Sequence, residues 1–151
     1  MNRTPILAVC FAALLFTGVP LQPALGDAES GLVTWMGRLQ YFTHKLGLAV
    51  DAQNHALQGY YLHEVDEVVE HLEGIQEADG IEVGNLVKAK LVPAFDALEG
   101  EVEAGDQGRI ARAYENLIGA CNACHKAVNR PYIHIERQVD NPYPQNFSPT
   151  P

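Results

Sequence analysis

QGRIARAYENLIGACNACHKAVN, residues 107–129, is the stretch the rest of the chain is organised around. Ile110, Ala113, Tyr114, Leu117, Cys121, Cys124 and Val128 recur at helical spacing and form one apolar stripe, with His125 on its flank. Inside that helix, Cys121-Asn122-Ala123-Cys124-His125 has the C-x-x-C-H form by which a c-type haem is covalently attached. The spacing has a chemical reason. Each thiol adds across one vinyl group of a porphyrin to give a thioether. Residues three apart share a helix face, so both sulfurs reach one edge of one macrocycle. His125, next in the chain, is then close enough for its imidazole to be the proximal axial ligand of the iron. The cysteines lie on the apolar face, where burial of a porphyrin requires them.

Two other chemistries use paired cysteines. Structural zinc needs further thiol or imidazole ligands at matching spacing, and there is no second C-x-x-C. A thioredoxin-like dithiol needs a βαβ setting, which the helical periodicity does not offer. Cysteine usage points the same way. Residues 1–26 read as a signal peptide: Arg3 is the positive head, 6–16 is an apolar run, and Ala24 and Gly26 are the small residues of a cleavage site before Asp27. The run is too short to span a membrane. Cys10 sits inside it, preceded by Val9, which does not fit a lipid anchor. Removal of the signal takes Cys10 away and leaves Cys121 and Cys124 for one haem c, with no disulfide framework. Because c-type attachment occurs on the far side of the membrane, the expected location is periplasmic or otherwise exported, with no membrane insertion after signal removal.

The remaining chain is long enough for one domain with one core. Without Arg3 its Lys and Arg number 9 against 19 Asp and Glu, a formal charge of −10. That excludes nucleic acid and anionic membrane surfaces as partners and allows a basic one. Three more helical segments precede 107–129. The first, about 29–50, has the stripe Leu32, Trp35, Met36, Leu39, Phe42, Leu46 and Ala49. The second, 55–74, follows a possible N-cap at Asn54; its stripe is Leu57, Tyr61, Val65, Val68, Leu72 and Ile75, and its outer face is acidic. The third, about 83–103, is interrupted by Pro93, which should kink or split it. Arg130-Pro131 ends the fourth. Residues 131–151, with Pro131, Pro142, Pro144, Pro149 and Pro151, read as an extended tail, mobile beyond Asn141. Tyr132, Ile133 and Ile135 are candidates to pack against the bundle.

Four helices joined by short connections predict an all-α, up-down-up-down bundle over 27–130, with the haem near the end of the fourth helix. Helix order and the motif's position together resemble cytochrome c prime, the class II four-helix c-type cytochromes. The resemblance implies a haem inside the bundle, His125 as fifth ligand, and a distal side formed by the first helix near Met36, Leu39 and Phe42. It also implies a homodimer through the first two helices, where Gly37, Tyr41, His44 and Leu48 make a second, mildly apolar strip. The chain departs from the family at the third and fourth positions after the histidine. An aromatic and an arginine are usual there; Val128 and Asn129 stand here, with Arg130 one later. It therefore resembles a divergent branch of the family.

The sixth position on iron separates the function classes. Two protein ligands make an electron carrier; an open site binds a diatomic gas such as NO or CO. Met36 is the competent ligand of the distal stripe. By helical rotation His44 and His63 point away from the stripes, which leaves three readings: surface residues, a second iron ligand, or an outer metal site of His44, His63 and Glu67. Electron transfer with a redox partner protein is the first function, gas binding the alternative. Peroxidase-like catalysis would need a distal acid–base residue beside an open site, so the chain is not read as an enzyme.

Overall fold

The structure, a computed structural model, describes residues 26–150, with side chains from residue 31 on. Cys10 and the rest of the expected signal peptide up to residue 25 lie outside the described residues. Helix α1 spans Gly26–Asp51, α2 His55–Gly74, α3 Val83–Leu86, α4 Val92–Ala104 and α5 Gln107–Ala127, with a π-helical turn at Val87–Leu91 between α3 and α4. Among the described residues there is no strand, and no helix is long and apolar enough to cross a membrane.

Each connection is set by local chemistry. After α1, Gln53 takes a left-handed φ of 53° and the Asn54 amide donates back to the Ala49 carbonyl at 3.0 Å, closing the helix end. Asn54 then starts α2: its Oδ1 accepts the Leu57 amide at 3.2 Å. Between α2 and α3, Asp79 and Gly80 both have positive φ, and Ala78 and Ile81 exchange backbone bonds of 3.0 and 2.9 Å, a tight primed turn. After α4, Gly105 supplies the left-handed residue, and Asp106 caps α5 through the Arg109 amide at 2.9 Å.

The third helix is split where Pro93 required it. Proline cannot donate to the Ala89 carbonyl and its ring would crowd it. The turn before it widens instead, so that the Val92 amide bonds Val87, five residues back. The helices close into a bundle in which α1 packs on α2 and α5, and α4 packs on α5 and α2.

The two ends of the bundle differ. At the Asn54 end it is solid. Leu46, Ala49, Val65, Leu98, Ile110, Tyr114 and Leu117 are buried in one core, and Gln58 is satisfied there by Gln107 at 2.8 Å and the Ala49 carbonyl at 3.3 Å. Toward the start of α1 and the end of α5 the packing opens into a cavity. The tail crosses that end as extended chain. Its far part is docked: Phe147 is buried at 6% exposure, and Asn54 Nδ2 donates to the Phe147 and Ser148 carbonyls at 3.0 and 3.2 Å. The expected mobility beyond Asn141 is thus replaced by anchorage, because a cap residue of α2 has donors left over for the tail's carbonyls.

Candidate functional site

The cavity has a volume of about 720 Å³, within the range of cofactor-sized pockets. Its walls come from the first half of α1 (Leu32, Met36, Leu39), from α3 and the π turn (Val83, Val87, Leu91), and from the second half of α5 (Ile118, Cys121, Cys124, His125). Ile133, Ile135 and Tyr143 of the tail close the remaining side. The widened turn that Pro93 forces therefore forms the wall shared by Val87 and Leu91.

The end of α5 orients His125. Asn129 has a left-handed φ of 57°; the Arg130 amide returns to the His125 carbonyl at 2.8 Å and the Asn129 amide to Lys126 at 3.2 Å, a Schellman closure with asparagine in place of glycine. The chain reverses across the helix it has just left. His125 Nδ1 then meets the Ile133 carbonyl at 2.7 Å. A carbonyl only accepts, so Nδ1 carries a proton, and in the neutral ring Nε2 keeps the lone pair. Asn122 binds the same stretch. Its Nδ2 donates to the Ile135 carbonyl and its Oδ1 accepts the Ile135 amide, both at 2.8 Å.

Cys121 and Cys124 are unpaired thiols on the cavity wall. Burial pushes the Cys121 thiol up to about 12, and the nearby Cys124 adds to the effect. Cys124 is raised as well, by burial, against the lowering influence of Lys90; its thiol faces the Leu86 carbonyl at 3.9 Å. Redox dithiols need the opposite, a thiolate favoured near neutral pH. These thiols stay protonated there, in apolar surroundings.

On the facing wall, Met36 and Leu39 line the cavity, but Phe42 does not. Phe42 and Trp35 turn toward α2, where Trp35 stacks on His71 with ring centroids 3.7 Å apart. Seven residues are nearly two helical turns, and over that length the apolar stripe of α1 divides between the cavity and the α1–α2 groove. His44 is on the cavity side, not behind it. Both its nitrogens are engaged by the tail: Nε2 with the Asp140 carbonyl at 3.2 Å, Nδ1 with the Tyr143 hydroxyl at 3.0 Å. The carbonyl takes the Nε2 proton, and in the neutral ring Nδ1 accepts from the tyrosine. His63 is elsewhere, exposed and paired with Glu67 at 3.5 Å. The outer site of His44, His63 and Glu67 is not assembled, and among the described residues no three His, Cys, Asp or Glu side chains group as a metal site.

The tail also covers the second strip of α1. Tyr143 packs on Tyr41 at 5.3 Å, and the Lys45 ammonium lies 4.8 Å from both rings while donating to Gln145 at 3.1 Å. Sequence reasoning missed Asn122, the Ile133 carbonyl, Asp140 and Tyr143; two act through backbone carbonyls, and neither asparagine nor a proline-flanked tyrosine carries a motif that would reveal them. No family model, no curated protein and no solved structure matches the chain.

Proposed function

We propose that this chain is an exported c-type cytochrome that carries one covalent haem in the cavity and transfers electrons through its iron. The observation that supports this most is the donor set on one apolar cavity wall: two protonated thiols three residues apart, and an imidazole whose Nδ1 proton is committed to a carbonyl, leaving Nε2 for a metal. The residues fit the group. Cys121 and Cys124 would tether it, His125 would be the proximal ligand, and Leu32, Met36, Leu39, Val87 and Leu91 supply apolar surface. When bound, the haem supplies a one-electron iron couple. The up-down-up-down order gives those residues a common wall, since it sets the end of the fourth helix beside the start of the first. The protein's own part is to hold Nε2 at a fixed orientation, to shield the site with the tail, and to present an acidic surface to a basic redox partner.

Acid–acetone extraction of the mature protein tests the tether. The haem is expected to stay with the polypeptide and to give a c-type pyridine haemochrome; free haem with a b-type spectrum would refute the proposal. A second function, binding of NO or CO at a five-coordinate iron, is favoured by the state of His44, whose nitrogens are both held by the tail. Met36 is then the one thioether on the facing wall. Ferrous protein that binds CO without losing a protein ligand supports the gas-binding function. A low-spin ferrous spectrum that resists CO supports the electron carrier, and its loss in Met36→Ala or His44→Ala names the ligand.

A further inference from the structure

We propose that Asn122, the first residue between the two cysteines, is a positioning residue for His125. It acts through residues 133–135 of the tail, holding in place the carbonyl that takes the imidazole's Nδ1 proton. The proposal rests on His125 being an iron ligand.

Asn122 and His125 are three residues apart and so lie on one face of α5. The Asn122 carboxamide reads the Ile135 backbone completely, giving to its carbonyl and taking from its amide, each at 2.8 Å. Ile135 follows only two residues after Ile133, which leaves the turn at 131–132 in a bend. Fixing Ile135 therefore limits how far the Ile133 carbonyl can swing from His125 Nδ1, from which it stands 2.7 Å. The other side of Ile133 is held by its amide, bonded to the Arg130 carbonyl at 3.0 Å. The segment is thus clamped on both sides of the one oxygen that His125 uses.

This clamp is separate from the anchorage of the tail as a whole. Residues 140–148 are tied down by His44, Lys45, Tyr61 and Asn54, all on α1, α2 or the turn between them. Without Asn122 the tail keeps those anchors, and the expected loss is local to His125. A histidine that donates its outer proton to a carbonyl is a stronger base toward a metal and favours the more oxidised ion. Removing the clamp should weaken that bond and favour ferrous iron.

The test is Asn122→Ala in the haem-loaded protein, with both tethering cysteines intact. At a fixed ambient potential the ferric-to-ferrous ratio should fall about tenfold, the lower end of the effect of losing an outer partner of a metal-bound histidine. For a one-electron couple that is a rise of about 59 mV. The Nδ1 proton of His125, followed by NMR in the ferric state, should exchange faster with solvent. Asn122→Ser, whose single short hydroxyl cannot make both bonds, carries the same measurements if the alanine variant does not accumulate. Asn54→Ala loosens the far end of the tail and should move neither. An unchanged potential and exchange rate in an Asn122 variant with covalent haem would overturn the proposal, as would an equal shift in Asn54→Ala. Wild-type protein that takes up no haem would instead remove the iron-ligand assignment on which the proposal stands.

Discussion

Gly47 of α1 lies directly against Tyr114 of α5. A methyl group there would overlap the end of the Tyr114 ring, whose hydroxyl donates to the Thr43 carbonyl at 2.9 Å. Gly47→Ala should therefore lower stability by about 1–2 kcal/mol, the overpacking cost exceeding the helix-propensity gain. Gly100→Ala, in α4 with open space around it, should instead gain up to about 1 kcal/mol. Denaturant midpoints at constant slope measure both. Cys121 makes a pH prediction. In the haem-free, reduced chain its folded value is raised from 9.0 to about 12 because burial disfavours the thiolate. The native state then holds a proton that the unfolded state releases. The stability tied to that proton is complete below about 9 and is lost as pH rises toward 12. Urea midpoints should fall across that window in the wild type and fall less in Cys121→Ala. At pH 8, alkylation of Cys121 in the native chain should be slow until denaturant is added.

At the scale of elements, the tail is a structural segment of the bundle although it contains no regular structure. Its proline-flanked stretch is held by side chains of α1 and α2, and Phe147 is its apolar anchor, packed beside Tyr61 with ring centroids 6.0 Å apart. Phe147→Ala should cost about 3–5 kcal/mol, as for other buried phenylalanines. It should also release the segment 141–150 to proteolysis before the helices unfold. Cleavage that begins inside the helices, or an unchanged midpoint, would contradict that anchorage. Arg137 joins the tail to two helices, bonding Glu115 at 2.6 Å and also Asp51.

For the whole molecule, one end of the bundle is solid and the other is built around a space of about 720 Å³. If a haem occupies that space, it binds the folded state only and adds directly to stability. Cys121→Ala with Cys124→Ala should leave a chain with helical far-ultraviolet dichroism but a lower, broader melting transition. A sharp, unchanged melt would argue against a central cofactor. The net charge of −9 carries a further prediction: if the chain transfers electrons to a cationic partner as proposed, that transfer should slow as ionic strength rises, because screening removes the long-range attraction.

The number, order and limits of the helices were legible in the chain because their signals are local. Apolar period, the Asn54 cap and the break at Pro93 act within a turn or two of helix; α5 stops at Ala127, short of the expected end at Pro131, because a left-handed Asn129 closes it first. The spacing of Cys121, Cys124 and His125 was equally legible, since one helical turn brings them to one side. What the sequence could not determine was how each helix is rotated about its axis, which depends on what packs against it. That rotation moved Phe42 out of the cavity wall and brought His44 into it. Nor could periodicity reveal the tail, whose place depends on single side chains reaching backbone atoms some 90 residues away, as Asn54 does to Phe147. The hydrogen bond that directs His125 belongs to the same class. It needs a left-handed Asn129, a reversed chain and the carboxamide of Asn122 at once, and only the tertiary structure brings them together.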